Sequence, residues 1–323
     1  MNLFDKTEKA GRYVAELKIG GKTDWYYRVV EVNKKKKKNG DEYLTLLLMD
    51  KTGKIPAKVW ENPEEVLKVI QPGRIHRVSG EVTEFNQKKE IHVQRLRPIS
   101  SADQEVNESD YVETATFDTA VAFSQMITSL LADISNPHLR RLVEEFAREY
   151  GDAFREHYGA QKIHHAHPGG LLEHTATLLK LALLVSPIYG LDKELLAVGA
   201  LLHDIGKLAE FKTQPAPEIT LEGGLLGHIV LGHTFFLKLK DKIEDFPEEL
   251  SVKIQHLIVS HHGEKEFGSP EVPKTAEAYV LHLMDMLDSR MNIFSELVRT
   301  ADSGRLFSEF STSLGSRILI DKK

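Results

Sequence analysis

The stretch LLHDIGK, residues 201–207, is the feature that most constrains the fold of this chain. Its first two residues complete the run 195–202, which is all Leu, Ala, Val or Gly and so suits a helix buried on every side. His203 and Asp204 stand at the end of that run. Taking an ionised aspartate out of water costs several kcal/mol unless a partner or a metal compensates. Other segments of the chain must therefore supply partners for this pair.

Residues from 117 onward have the periodicity of helices. Apolar residues recur at three- and four-residue spacing in 117–134, 137–149, 170–186, 192–208, 225–243, 248–261 and 273–299. Five of these segments carry polar residues on apolar stripes, as His228 does beside Leu225 and Leu231. The set comprises His174, His203, Asp204, His228, His261, His262 and Asp285. A lone histidine of this kind is more often a hydrogen-bonded core residue, but seven such groups on five helices indicate one shared site.

The residue types in this set indicate a divalent metal. Neutral imidazoles and carboxylates are the usual nitrogen and oxygen ligands of such ions. The chain has no cysteine, which excludes disulfides, thiolate metal sites and a cysteine nucleophile. A nitrogen- and oxygen-ligand centre is therefore the kind of metal site that this chain can build.

The order of these residues resembles the HD-domain superfamily of metal-dependent phosphohydrolases. The resemblance implies that His174, His203, Asp204 and Asp285 hold a first ion. It further implies that His228, His261 and His262 hold a second ion, with Asp204 bridging the two. Two such ions ~3.5–4 Å apart would activate a water for attack on phosphorus.

Lys207, three residues after Asp204, matches a lysine found in many hydrolytic HD proteins. We expect Asp204 and Lys207 to be catalytic, with the lysine stabilising charge on the phosphate oxygens. A solvated lysine at a helix end is the competing interpretation.

Residues 1–100 have the pattern of a β-barrel. Five segments rich in β-branched and aromatic residues alternate with turn signals, and a short helix falls between the third and fourth. This is the order of an OB fold. We therefore predict a multidomain protein, an N-terminal all-β OB-fold barrel followed by an all-α HD-domain helical bundle. The predicted boundaries are 1–100 for the barrel, 101–116 for an acidic linker and 117–323 for the helical domain.

Charge separates the two predicted domains. The first hundred residues hold 21 Lys and Arg against 14 Asp and Glu, whereas the remaining 223 hold 21 against 34. Two loops of the barrel, 33–42 and 85–90, are rich in lysine, and an OB fold closes these loops over a bound strand. The candidate nucleic-acid-binding residues are Lys34, Lys35, Lys36, Lys37, Lys38, Tyr43, Trp60, Phe85, Lys88 and Lys89. The competing interpretation is a solvated lysine loop and aromatic side chains that fill the barrel.

The whole arrangement resembles the YhaM family of 3′–5′ exoribonucleases. The likeness is carried by NGDEYLTLLLMDKTGKIPAKVWE in the barrel, HHAHPGGLLEHT before the first ligand and HLIVSHHGEKEFGSP around the paired histidines. It implies a manganese-preferring enzyme that degrades single-stranded RNA, and in some members DNA. Iron, cobalt, zinc and magnesium remain open as alternatives, since imidazole and carboxylate ligands serve several metals.

Two other functions remain open on the sequence. An HD phosphohydrolase of nucleotides or cyclic dinucleotides would use the barrel as a regulatory module. A non-catalytic RNA-binding protein would hold a structural metal. The N-terminal residues carry early charge, and no apolar run approaches the ~18 residues of a membrane span. We therefore expect a cytoplasmic protein with no membrane partner, and a homo-oligomer is an open expectation.

Overall fold

The computed structural model divides the chain into two compact units, with the division between residues 114 and 115. The structure describes residues 11–37, 40–85, 88–103, 105–111, 115, 117–160, 167–213, 218–300, 306–308 and 310–320, without the side chains of residues 109, 299 and 300.

The N-terminal unit is a closed five-stranded barrel. Its strands are β1 (Lys22–Lys36), β2 (Glu42–Asp50), β3 (Gly53–Val59), β4 (Ile75–Phe85) and β5 (Lys88–Pro98). They pair in the order β1-β2-β3-β5-β4, with β4 closing on β1 and β3 parallel to β5. A short helix, α1 (Pro63–Val69), stands between β3 and β4. The predicted OB-fold barrel is confirmed.

Part of the acidic segment that follows the barrel packs against it. A 3₁₀ turn at Glu108–Tyr111 buries Tyr111, whose carbonyl accepts a 2.6 Å hydrogen bond from Arg28 Nε. Asp103 accepts hydrogen bonds from Arg97 and from the Tyr26 hydroxyl at 2.8 Å. These contacts place residues 103–111 with the barrel, although the sequence predicts a linker from residue 101 onward.

The C-terminal unit is helical. Its helices are α2 (Thr119–Asp133), α3 (Pro137–Glu156), α4 (Gly170–Tyr189), α5 (Lys193–Leu202), α6 (Lys207–Glu210), α7 (Leu221–Lys240), α8 (Glu248–Ser260) and α9 (Ala276–Thr300). Two-residue strands β6 (Phe211–Lys212) and β7 (Glu218–Ile219) pair between α6 and α7. The periodicity of the sequence predicts this helical unit, and the structure confirms it.

Two breaks in the helices differ from the sequence prediction. The pattern predicts one helix over 192–208, but the chain leaves the helix after Leu202 and turns through residues 203–206. Gly206 permits this turn to lie against α7, because a side chain there would overlap the carbonyl oxygen of His228. Within α7, Gly227 adopts φ 70° and ψ 161°, a conformation open in practice only to glycine, and kinks the helix. Leu225 is consequently 76% exposed and does not share the stripe of His228.

Helix α4 is the core helix of this unit. Within the described parts of the chain it is the one helix whose length and composition would allow it to cross a membrane. Nine of its residues are buried against the rest of the unit, and His174 is among them. Part of its apolar composition is therefore explained by packing in the core of this unit.

Candidate metal centre and nucleic-acid face

The seven histidines and aspartates predicted to hold metal meet at one place in the helical unit, which we call the histidine–aspartate cluster. They come from five elements: α4, the turn after α5, α7 just past its kink, the C-terminal end of α8, and α9. The cluster residues are His174, His203, Asp204, His228, His261, His262 and Asp285. The apolar stripes around each residue fold the five helices together, and the polar groups are carried inward with them.

The first group in the cluster consists of His174, His203, Asp204 and Asp285. The Nε2 atoms of His174 and His203 lie 3.2 Å apart, and Asp204 Oδ2 lies 3.8 and 3.3 Å from them. Asp285 Oδ1 lies 3.4 Å from His174 Nε2. Four potential ligand atoms therefore point toward a common centre.

The second group consists of His228, His261 and His262, whose potential ligand atoms lie within 4.8 Å of one another. Asp204 Oδ1 lies 3.5 Å from His228 Nε2 and 3.7 Å from His261 Nε2. The two carboxylate oxygens of Asp204 thus face different groups, Oδ2 the first and Oδ1 the second.

All five imidazoles are held by their Nδ1 atoms. His203 and His261 donate from Nδ1 to the carbonyls of Ala200 and Ile258, at 2.9 and 2.8 Å. His262 donates to Phe267 O at 2.8 Å. The other two donate to carboxylates: His174 to Asp288 at 2.7 Å and His228 to Glu210 at 3.0 Å. Each bond fixes a proton on Nδ1 and turns Nε2 toward the cluster, as in known metal-binding histidines.

The residues present fit a divalent metal ion. Among the described residues, the buried Nε2 atoms of His228 and His261 have no hydrogen-bond partner. Buried polar atoms are almost always paired, so two unpaired atoms at one place indicate a partner outside the described residues. Imidazole nitrogens and carboxylate oxygens in this arrangement are the ligands of divalent transition metals.

Electrostatics keep the cluster carboxylates ionised. Burial alone would raise the pKa of the Asp204 carboxyl, but Lys207 and His203 hold it well below its usual range. Burial likewise opposes ionisation of Asp285, whose pKa His174 lowers. For His174, burial lowers the pKa, but hydrogen bonds to Asp285 and Asp288 raise it to about 9. Burial lowers the pKa of His261 well below its usual value, so this ring is a neutral ligand.

Lys207 lies beside the cluster. Its Nζ atom is 2.6 Å from Asp204 Oδ2 and donates to the carbonyl of Gly159 at 2.6 Å. It lines a cavity of about 90 Å³ together with Gly159, His174, Asp204, His262, Asp285 and Ser289. An ammonium has three N–H donors, so one donor of Lys207 remains for a group inside the cavity.

Glu210 contacts a residue of the cluster, and the sequence did not indicate it. It ends α6, and its Oε1 atom accepts hydrogen bonds from the backbone N–H of His228 at 3.2 Å and from His228 Nδ1 at 3.0 Å. The signal that could have found it is a carboxylate three residues after Lys207, close to the turn that carries two ligands. Its contact with His228 depends on the kink at Gly227, and the sequence pattern does not predict that kink.

Three further histidines and aspartates of the helical unit have partners of their own. Asp288, one turn after Asp285 in the sequence, accepts a hydrogen bond from His174 Nδ1. His233 contacts Gln255 Oε1 at 2.8 Å, and His167 lies 3.1 Å from Glu173. His164 and His165 are candidates on the sequence for contact with a substrate phosphate, but both lie outside the described residues.

The barrel carries an aromatic and basic surface, the barrel face, formed by Tyr43, Lys58, Trp60, Phe85 and His92. The rings of Tyr43 and Trp60 stack at 4.6 Å, and the ring of His92 lies 6.1 Å from Trp60. Lys58 Nζ lies 3.9 Å from the ring centroid of Phe85 and 5.5 Å from that of Trp60. Lys58 and His92 were not predicted from the sequence. They join the face because strand register pairs them across β3 and β5.

A buried carboxylate supports this face. Glu90 is 5% exposed and lies 2.8 Å from Lys58 and 2.8 Å from His92. It fixes both side chains beneath the aromatic rings, which reach solvent: Phe85 is 55% exposed.

The predicted lysines differ in the exposure of their side chains and in the groups that they contact. Lys35 and Lys36 are exposed on β1, and Lys37 Nζ lies 5.3 Å from the ring centroid of Trp60. Lys34 pairs with Glu42 and Glu64 at 2.6 Å each, and Lys89 donates to Leu17 O at 2.6 Å. Lys88 is exposed at the start of β5, and Lys38 lies outside the described residues.

Comparison with known proteins matches both units. The HD domain family matches residues 171–290, and an OB-fold nucleic acid binding domain family matches residues 28–99. A 3′-5′ exoribonuclease YhaM from Bacillus subtilis (strain 168) is 32% identical over 287 residues, which are 88% of this chain and 90% of the relative. A protein of the same name from Bacillus licheniformis has the same identity and coverage. Among solved structures, the second OB-fold domain of replication protein A from Methanococcus maripaludis is similar, with 25% identity and a TM-score of 0.23, covering 27% of this chain and 93% of that one.

Proposed function

This chain belongs to the YhaM family of 3′–5′ exoribonucleases, and we propose that it shortens single-stranded RNA from the 3′ end by metal-dependent hydrolysis of phosphodiester bonds. The names of its relatives support the polarity and the substrate. The helical unit supports the hydrolysis, and the barrel supports the binding of a single strand.

The observation that carries this proposal is the position of Asp204. One of its oxygens faces the first group and the other faces the second group, at 3.3–3.8 Å from four imidazole nitrogens. In the proposed assignment Asp204 would help to hold both of two ions. His174, His203 and Asp285 complete the first site, and the second site is completed by His228, His261 and His262. Bound divalent ions would polarise the phosphodiester and acidify a water molecule.

The chain's own residues prepare the substrate. The free N–H of Lys207 faces the cavity, where it would donate to a phosphate oxygen as negative charge develops. The contact with Asp204 holds the ammonium in place before substrate arrives, so little reorganisation accompanies the reaction. The apolar helices around the cluster keep bulk water from its charges, which strengthens these interactions.

The barrel face would hold the RNA strand. Stacking on Tyr43, Trp60 and Phe85 is tolerant of sequence, because every base has an aromatic face. Lys35, Lys36 and Lys37 would neutralise the phosphates of the strand. Binding of this kind suits an enzyme that degrades RNA of any sequence.

The alternative of a nucleotide or cyclic dinucleotide substrate would use the same cavity beside Lys207. Lys35, Lys36 and Lys37 separate the two functions. Cleavage of a long RNA strand should depend on these lysines, whereas hydrolysis of a small phosphate substrate should not.

The test is degradation of single-stranded RNA labelled at its 5′ end, with manganese as the proposed metal and iron, cobalt, zinc and magnesium run in parallel. We expect a ladder of progressively shorter labelled products on a denaturing gel, absent with Asp204→Ala. RNA labelled at the 3′ end is the control for polarity, since it should release a labelled mononucleotide at once. Intact RNA with the wild-type protein would contradict the proposal and favour a small phosphate substrate.

A further inference from the structure

We propose that Glu210 is a positioning residue that determines whether the second group holds its ion, because among the described residues it is the side chain that binds His228 Nδ1 and aims the ring at that site. The inference deepens the proposed function and rests on the metal binding assumed there. It assigns a role to a residue that neither the sequence pattern nor the family match singles out.

The first step of the argument is the kink in α7. Gly227 leaves the helical conformation immediately before His228. The backbone N–H of His228 is consequently turned out of the helix and donates to Glu210 Oε1 at 3.2 Å. The kink thus presents both the amide and the ring of one ligand to the same carboxylate oxygen.

The second step is the way in which Glu210 is itself held. Thr220, just before α7, donates its N–H to the carbonyl of Glu210 at 3.0 Å. The Thr220 hydroxyl donates to Ala209 O at 2.6 Å. These bonds tie the end of α6 to the start of α7, so the carboxylate is positioned by the backbone on both sides of the loop.

The third step is the direction of the bond. Glu210 contacts Nδ1, on the opposite side of the ring from the Nε2 atom that faces Asp204 at 3.5 Å. Glu210 therefore acts on the ion through His228 and does not itself coordinate the ion. Carboxylates in this position orient the ring and make Nε2 a stronger ligand.

The fourth step is a difference within the second group. His261 and His262 are held by backbone carbonyls, of Ile258 and Phe267. Among the described residues, Glu210 is the side chain that fixes an Nδ1 atom in this group, and Asp288 has the equivalent place in the first group. Substitution can therefore weaken each group separately without removing a ligand.

The experiment is a metal titration of the full-length protein with Mn²⁺, followed by calorimetry and by equilibrium dialysis. We expect two ions for the wild type. Glu210→Ala should keep one ion at unchanged affinity and bind the other about 10–100-fold more weakly. Glu210→Gln retains an oxygen that accepts both hydrogen bonds. Its affinity for the second ion should therefore lie between the affinities of the wild type and of Glu210→Ala. Asp288→Ala should weaken the binding of the other ion. Glu222 is an exposed acid in the first turn of α7, and Glu222→Ala should leave the affinity for both ions unchanged.

A second pair of variants tests the kink without touching the carboxylate. The space around Gly227 is open, so Gly227→Ala strains the backbone without a steric clash. We expect this variant to weaken the binding of the same ion as Glu210→Ala does. Gly224→Ala is the matched control, because a methyl group there makes only an ordinary 3.4 Å contact with Ile219.

The outcomes separate this inference from the proposed function. Two ions bound with equal affinity by Glu210→Ala and by the wild type would overturn the inference, as would a wild-type protein that binds a single ion. A wild-type protein that binds two ions, responds to Glu210→Ala as expected and leaves RNA intact would support the inference and contradict the proposed function. Should Glu210→Ala fail to fold, Glu210→Gln and Gly227→Ala provide the same readout.

Discussion

The histidine–aspartate cluster and the barrel face differ in how firmly their surroundings hold them. In the cluster, His203 and His261 are fully buried, and every imidazole has an Nδ1 bond that aims it. On the barrel face, Phe85 is exposed and Tyr43 is held by stacking on Trp60. The two regions therefore have different structural requirements. Hydrolysis of a phosphodiester needs fixed ligands, whereas binding of any RNA sequence needs rings that adapt to the bases.

The largest effect should come from Asp204→Asn, which leaves the size of the side chain unchanged but removes its charge. Cleavage of single-stranded RNA should fall by at least about 10³-fold, because the charge shared by both groups is lost. Binding of RNA to the barrel should stay within twofold. Single-turnover rates and filter binding in EDTA measure the two quantities. Parallel loss of both would show that the regions are not independent.

Trp60→Ala should weaken RNA binding and leave the cleavage step intact, the opposite of Asp204→Asn. Loss of one stacking platform should weaken RNA binding by about 1–3 kcal/mol, roughly 5–150-fold, while the single-turnover rate at saturating RNA is retained. Trp25→Ala is the matched control, since Trp25 packs against Tyr13 and Tyr26 rather than on the barrel face. Equal weakening by both variants would indicate general damage to the barrel.

Acid should weaken metal binding at the cluster. The pKa of His174 is raised to about 9 in the absence of metal, yet a ligating imidazole must be neutral. At pH values below about 9, metal binding must therefore displace a proton, and affinity should fall by roughly tenfold for each unit that the pH is lowered. Calorimetry in buffers of different ionisation enthalpy measures the released proton. Metal binding at pH 7 without proton release would contradict this prediction.

The smallest effect concerns the lysines of the first barrel loop. Replacing Lys35, Lys36 and Lys37 with alanine should reduce the salt dependence of RNA binding by about 0.7 in the log–log slope for each lost phosphate contact. Lys68→Ala on α1 is the control and should leave the slope unchanged. An unchanged slope in the triple variant would favour the interpretation of a solvated loop.

The cluster was predictable from the sequence because burial limits what a polar residue can do. His174 and Asp285 stand on apolar stripes, so the periodicity that predicts their helices also predicts that they point inward. The barrel was predictable for a similar reason, since turn signals separate its five strands. Family resemblance then supplied the pairing of ligands into two groups.

Other features depend on contacts between distant segments, which the local sequence pattern does not predict. Glu210 lies on a four-residue helix and becomes significant only through the kink at Gly227. Lys58 and His92 belong to the barrel face because of strand register, which composition does not specify. The predicted single helix over 192–208 was wrong because Gly206 packs on the backbone of α7, a contact between distant segments.

The bonds from His203 to Ala200 and from His261 to Ile258 have a second consequence. Both carbonyls lie in the last turn of a helix, where the helix itself offers them no donor. Each imidazole therefore serves as a C-terminal cap as well as a member of the cluster. Loss of either histidine should shorten a helix even in metal-free protein, so the ends of α5 and α8 are stabilised by the same side chains that are proposed to hold metal.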